Sequence, residues 1–328
     1  MPGQVPVTGT FTLTFDTELI WGSFDSKSPR EFERLYPDIR GTIDRLLALL
    51  DRHEVSATWA VLGHLFLSEC SRGDGGLAHP ELVHPRQSWR PGDWYASDPC
   101  TDRRKDPLWY GDDIVDALLA ARIQQDIGSH SFGHALYGDE AMTRAAVDAD
   151  LDACLALAAE RGIELRSFVF PRNSEGHHEA LRAHGFTAFR GMDPTWHVGL
   201  PGLLSRAGHL VDQGIGLAPP VSKPYEKLPG LWNIPGSALV MDRTGGRRAI
   251  SMAARVRKAQ AGLQRAAETG GVFHLWTHPF NIASDPDFLL ATIEAVVSDA
   301  RAARDRGEIA IESMAVTAAR LSASPPGE

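Results

Sequence analysis

TLTFDTE, residues 12–18, runs an alternation of threonine, leucine and phenylalanine into two carboxylates, Asp16 and Glu18. The β-branched and aromatic residues predict a strand over 10–16. Side chains two apart in a strand share a face, so the acids converge while Thr17 turns away. Bare carboxylates so placed repel one another, more so once desolvated. Either a cation joins them, with one acid a ligand and the other a free base, or one acid caps the strand end in solvent.

Outward from this strand, helix-like and strand-like patterns alternate. Residues 36–53 (YPDIRGTIDRLLALLDRH) set Ile39, Ile43, Leu46, Leu47 and Leu50 on one helical stripe. VSATWAVLG (55–63), DIGSH (126–130), LRSFVFP (165–171), FTAFRG (186–191) and GVFHLWTH (271–278) read as further strands, with helical patterns between them. Strands separated by helices imply right-handed crossovers and parallel pairing. No GxGxxG follows the first strand to favour an open dinucleotide-binding sheet. The pattern predicts an α/β fold, a closed or nearly closed (β/α) barrel forming a single domain over 1–328. Residues 68–110 form a long loop insertion, and 191–230, rich in glycine and proline, are expected to be mostly loop.

The 328 residues carry 42 acids against 33 bases, and no basic run of five or more gives the footprint of a nucleic-acid binder. No apolar stretch near the length of a membrane span occurs. MPGQVPVTGT lacks a signal peptide's basic start and apolar core, so a cytoplasmic setting is expected. Cys70, Cys100 and Cys154 form no CxxC pair and read as reduced structural thiols. Nothing in the sequence specifies the oligomeric state.

In a barrel of this type, chemistry gathers at the C-terminal ends of the strands. Asp16, Glu18, His130, His134, Arg172 and His278 all fall there. SHSFGH sets His130 and His134 four apart, on one face if the segment turns helically, although Gly133 weakens a regular helix. Two histidines and one carboxylate make a three-ligand site with a position left for water, the arrangement of catalytic zinc. Both histidines could instead be hydrogen-bonded packing residues.

TFDTE, SHSFGH, FVFPRN and LWTH, in this order and at these strand ends, resemble the motifs of the polysaccharide deacetylase family (carbohydrate esterase family 4, with its NodB-homology domain) over residues 11–315. The resemblance implies a distorted (β/α)7 barrel that removes acyl groups, usually acetyl, from amino sugars. Carried over by position, Asp16 matches the catalytic base, His130 and His134 the metal-binding histidines, and His278 the general acid. Trp276 matches a residue lining the acetyl pocket.

Two departures from the family pattern stand out. Thr17 occupies the usual place of a metal-binding aspartate, so Glu18 is taken as third ligand. The arginine that holds the base normally precedes the proline of the third motif, whereas here Arg172 follows Pro171. Arg172 is thus either the residue that reaches Asp16 or a surface arginine. Asp193 and Trp196 are candidates for the pair that orients the general acid.

In the insertion, Trp89, Trp94, Tyr95 and Trp109 suit a sugar-facing lid or aromatics that pin the loop to the barrel. His79 and His84 read as loop histidines. The expected function is metal-dependent N-deacetylation of an acetamido sugar, with Trp94, Trp109 and Trp276 contacting substrate and a divalent cation, Zn²⁺, as cofactor. Hydrolysis of a non-sugar amide or formamide, and an inactive carbohydrate-binding barrel, remain the alternatives.

Overall fold

A computed structural model describes residues 9–192 and 219–323. The chain runs β1 (Gly9–Thr17), α1 (Pro29–Leu35), α2 (Ile39–His53), β2 (Thr58–Val61), α3 (Asp112–Ala120), β3 (Asp126–Ser129), α4 (Arg144–Glu160), β4 (Ser167–Val169), α5 (His178–Ala183) and β5 (Ala188–Arg190). After residue 218 come β6 (Tyr225–Leu228), β7 (Leu231–Asn233), β8 (Ala238–Leu239), α6 (Met252–Thr269), β9 (Val272–Thr277), α7 (Pro279–Ala283), α8 (Pro286–Asp305), β10 (Ile309–Ile311) and α9 (Met314–Ala323).

β1 to β5 lie side by side in parallel, and β9 flanks β1 on its other edge. The wall is completed by residues 231–240. Their first half pairs with β5 and their second half with β9, and Pro235 lies in the break between. Ile234 N donates to Phe189 O at 2.9 Å, and Ser237 N to His274 O at 2.8 Å. The result is a distorted (β/α) barrel with seven wall positions, the seventh a broken strand. β6 adds an antiparallel hairpin to β7 within a stretch whose glycines and prolines had suggested loop. β10 pairs with Gly9–Phe11, on the same strand whose upper half, Thr14–Thr17, pairs with β2.

Period-2 alternation sorts the side chains into two layers. Phe11, Phe15, Trp59, Phe168, Phe189 and Phe273 point outward into the main core beneath the helices. Inward positions are small or polar: Ala60, Val169 and Ala188 meet Met314 and Ala318 of α9 in a separate inner cluster. Small inward residues leave room for the charged groups nearer the rim.

The helix ends follow their sequences. Asp38 accepts Gly41 N at 3.1 Å to start α2. Ser28 and Glu31 form a capping box at α1, with Pro29 in the first turn. The 68–110 insertion contains only single 3₁₀ turns, at Asp74–Gly76 and Trp94–Ser97, as helical structure. Among the described residues no helix is long and apolar enough to cross a membrane.

Candidate metal and catalytic site

At the C-terminal end of β1 the chain leaves the strand at Glu18 and enters a 3₁₀ turn, Leu19–Gly22. The Glu18 side chain lies across that turn. A Cβ on Gly22 would stand 1.8 Å from its Oε1, so a larger residue there would displace the carboxylate from this position. Asp16 and Glu18 converge as the strand period requires, while Thr17 Oγ1 turns back to Phe15 O at 3.4 Å.

His130 and His134 meet Glu18 without a helix. Ser131 and His134 take left-handed conformations, φ 62° and 61°, which fold SHSFGH into a tight loop. The loop is held from both sides. Gly63 N and His64 N donate to Ser131 O and Phe132 O at 2.8 and 2.9 Å. Buried Asp150 of α4 accepts Phe132 N at 2.9 Å and Tyr137 Oη at 2.6 Å.

The Nε2 atoms of His130 and His134 lie 2.9 and 3.0 Å from one oxygen, Glu18 Oε2. His130 Nδ1 sits 2.8 Å from Val169 O, which can only accept, so the ring keeps a proton there and presents Nε2 to the site, as a donor to Glu18 when protonated and as a lone pair when neutral. Burial pushes the Glu18 carboxyl up, but the charges of His134 and His278 and hydrogen bonds from both loop histidines outweigh it and hold it well below the usual range. Burial also pushes both loop histidines down; for His130 the hydrogen bond to Glu18 and the charges of Asp16 and Glu18 reverse the direction, for His134 they do not. Two imidazole nitrogens and a carboxylate oxygen within 4.8 Å of one another form a donor set that suits a divalent cation.

Asp16 is gripped by Arg190, the last residue of β5, through two hydrogen bonds of 2.6 Å. Arg190 also donates to Thr14 Oγ1 at 3.0 Å, and its guanidinium lies 4.1 Å from the Trp276 ring centroid. His274 completes this interior network, its Nδ1 facing Ile234 O at 3.1 Å and its Nε2 facing Thr14 Oγ1 at 3.2 Å. Burial, with Arg190 nearby, pushes His274 down to about 3, so the ring is neutral. For Asp16, burial pushes the carboxyl up, but the charge and hydrogen bonds of Arg190, with His130 and His278, hold it below the ordinary value.

The expectation that Arg172 reaches Asp16 is corrected here. Arg172 pairs with Asp25 at 2.7 Å, with its guanidinium 5.5 Å from the Trp89 ring centroid. A left-handed backbone at Arg172 and Asn173 turns the side chain to the outer rim. Arg190 was missed because FTAFRG reads as an ordinary strand; its one signal is a lone arginine at the end of an apolar run.

His278 follows β9 and precedes α7. Its Nε2 lies 3.6 Å from Glu18 Oε1 and 3.8 Å from Asp16 Oδ2. Its Nδ1 lies 3.1 Å from Asn281 Nδ2, an amide that donates to the ring and leaves the neutral imidazole's proton on Nε2, facing the acids. At 19 % exposure the His278 side chain is the most open of these groups, so the site is approached past it. Trp276 is buried between Arg190 and His278, its ring 5.8 Å from the latter.

Trp94 and Trp109, expected to contact substrate, are 3 % and 6 % exposed and turn inward. Trp94 donates to Gly133 O at 2.7 Å, and Trp109 packs edge-on against Trp21 at 5.0 Å. Of the two uses open to these aromatics, their contacts match the second, pinning the insertion to the barrel. Asp193 and Trp196 lie outside the described residues.

No family model matches the sequence, and no curated protein matches it significantly. Solved structures do match in shape. A Mycobacterium smegmatis protein assigned as a polysaccharide deacetylase superposes with a TM-score of 0.61 at 16 % identity, over 100 % of this chain and 97 % of its own. A Pseudomonas aeruginosa PAO1 protein assigned in the same way gives 0.58 at 13 %, over 97 % and 92 %. The allantoinase PuuE gives 0.62 at 12 %, over 100 % and 94 %. The barrel with its broken seventh strand is thus the polysaccharide deacetylase fold.

Proposed function

We propose that this protein is a metal-dependent hydrolase that removes the N-acetyl group from an acetamido sugar, with Glu18, His130 and His134 holding a divalent cation. The observation that carries this reading is one geometry: both loop histidines aim Nε2 at Glu18 Oε2 beside an arginine-clamped acid and an open histidine. Two imidazoles and a carboxylate favour Zn²⁺. When bound, such an ion supplies Lewis acidity, lowering the pKa of water and polarising a carbonyl.

The rest of the chemistry falls to the chain. Asp16, kept ionised and oriented by Arg190, takes a proton from the attacking water. Water adds to the acetamide carbon, the C–N bond breaks, and His278 Nε2 returns a proton to the departing amine. Acetate and a free amino sugar are the products. Arg190 is a positioning residue for the base, and Trp276 forms the apolar wall beside His278. The barrel and its 68–110 insertion work as one domain in this reading.

A second reading, hydrolysis of a non-sugar amide, draws support from the allantoinase, which superposes with a TM-score of 0.62 beside 0.61 and 0.58 for the deacetylases. Zinc-loaded protein assayed for free amine and acetate on acetylated amino sugars, beside cyclic and linear amides, tests both. Turnover of amides alone overturns the sugar assignment, and no turnover on any substrate leaves only a binding barrel.

A further inference from the structure

A second group of metal-binding side chains lies at the base of the insertion, apart from the site above. His64 comes from the 3₁₀ turn Gly63–Phe66 that follows β2, while Cys70, His79 and Asp98 come from the insertion or its threshold. Asp98 Oδ2 is 2.9 Å from His64 Nε2, 2.7 Å from His79 Nε2 and 3.6 Å from Cys70 Sγ. Cys70 Sγ is 3.7 Å from His64 Nε2. One atom of each residue thus faces a common centre, and all four atoms lie within 4.8 Å of one another.

We propose that His64, Cys70, His79 and Asp98 bind a structural Zn²⁺ that fastens the insertion to the barrel. This proposal does not depend on the activity proposed above.

The ring orientations support it. His64 Nδ1 lies 3.1 Å from Trp109 O, a pure acceptor, and His79 Nδ1 lies 3.4 Å from a Glu81 carboxylate oxygen. His64 can thereby spend its proton on Trp109 O and turn the Nε2 lone pair to the centre, and His79 can do the same toward Glu81 when an ion replaces its 2.7 Å contact with Asp98 Oδ2. Outer carbonyl or carboxylate partners of this kind are what metal-bound histidines ordinarily have. Asp98 is held by Cys100 N, which donates to Oδ1 at 2.8 Å and leaves Oδ2 for the centre. Tyr110 Oη accepts Thr101 N at 2.7 Å, which leaves its own proton for Cys70 Sγ at 3.2 Å.

Charge and size select the ion. A thiolate and a carboxylate neutralise a dication outright, so the burial of His64, His79 and Asp98 carries no net charge. Zinc bonds of about 2.0–2.3 Å imply tetrahedral edges of roughly 3.3 Å between N or O atoms and about 3.6 Å to sulfur. The two sulfur edges, to His64 and to Asp98, already match, and the N–O edges of 2.9 and 2.7 Å need to open by about 0.5 Å. Four protein ligands leave no position for water, as structural zinc requires and catalytic zinc does not.

The clip bears on the first site. Trp94 and Tyr95, in the same insertion, bear on Gly133 between the two loop histidines: Trp94 donates to its carbonyl at 2.7 Å, and a Cβ there would lie 2.4 Å from Tyr95 Cε1.

Metal counting with a cobalt spectrum tests the proposal on the full chain. Zinc-grown His130→Ala/His134→Ala protein should retain one equivalent per chain. Reconstituted with Co²⁺, it should show a thiolate-to-cobalt charge-transfer band, since no other proposed ligand is sulfur. Cys70→Ser in that background should abolish the band; if this variant does not fold, the parent's cobalt spectrum alone decides. Absence of both metal and band in the parent overturns the proposal, as does a Cys70–Cys100 disulfide found by mass spectrometry of the unreduced protein. Failure of the deacetylase reading would appear as missing acetate release and leave this band in place.

Discussion

Arg190 holds Asp16 with both terminal nitrogens, 2.6 Å to each carboxylate oxygen, and both side chains are almost wholly buried. The pair spans the barrel interior from β5 to β1, strands that share no edge. Removing one partner of a buried pair strands the other's charge, so Arg190→Leu should lower stability by roughly 3–5 kcal/mol, read by denaturant unfolding. Arg190→Lys keeps the charge but not the fork, and should cut acetate release by about 10²-fold while the protein stays folded. Arg172→Ala should stay within about threefold of the parent, because a partly exposed pair with Asp25 contributes little. The opposite ranking would return the role to Arg172.

Metal retention should follow the three-ligand geometry. His130→Ala, His134→Ala and Glu18→Gln should each lose one equivalent by elemental analysis, and Thr17→Ala none. Gly22→Ala should behave like Glu18→Gln, because its methyl occupies the space of the Glu18 carboxylate. A Gly22→Ala protein with full metal content would show that the carboxylate is free to move.

The acid limb of activity should not belong to Asp16. With Asp16 held ionised below the ordinary carboxylate range, the limb should track loss of metal as His130 and His134 take up protons, and metal content measured beside the rate across pH checks it. His278→Asn should lower kcat by about 10²-fold or more with metal content unchanged. Asn281→Leu, which frees the His278 ring, should give a smaller loss of about tenfold, mostly in kcat. A rate profile for Asn281→Leu identical to the parent's would remove Asn281 from the orientation of His278.

Asp150 carries a stability prediction of defined sign. Burial pushes its carboxyl up to about 6 despite hydrogen bonds from Tyr137 and the Phe132 and Gly133 amides. Between pH 4 and 6 the folded protein keeps a proton that the unfolded chain has lost, so this residue makes stability fall as pH rises, by about 3 kcal/mol in all. Asp150→Asn keeps an acceptor for Phe132 N and Tyr137 Oη and should remove that component. Chemical denaturation at a series of pH values checks it, and an unchanged slope in the variant would place the proton elsewhere.

Much of this architecture was legible in the sequence because it is periodic or local. The β1 alternation, the α2 stripe and the acids at a strand end needed only nearest neighbours. Arg190 was not legible, since its partner is fixed by barrel closure and not by spacing. His64 and Asp98 gave no signal, and Cys70 and His79 read as a structural thiol and a loop histidine, because the four are strung along irregular chain with no short ligand motif. Trp94 and Trp109 were ambiguous because an aromatic suits a sugar face or a loop anchor equally, and only the Gly133 carbonyl and Trp21 decide between them. The capping box at Ser28 was readable but opens a helix too short to show a stripe.

The shared edge of β1 has a consequence for synthesis. Its upper half pairs early with β2, but β9 on the other edge, and β10 beside Gly9–Phe11, belong to residues 272–311. At about 5–20 residues per second, β9 leaves the ribosome on the order of 10–50 s after β1. Throughout that interval the nascent chain holds an apolar strand with one bare edge, the configuration most open to pairing with a neighbour. The pace of translation therefore sets how long that edge stays open, and the first strand made is among the last to be sealed.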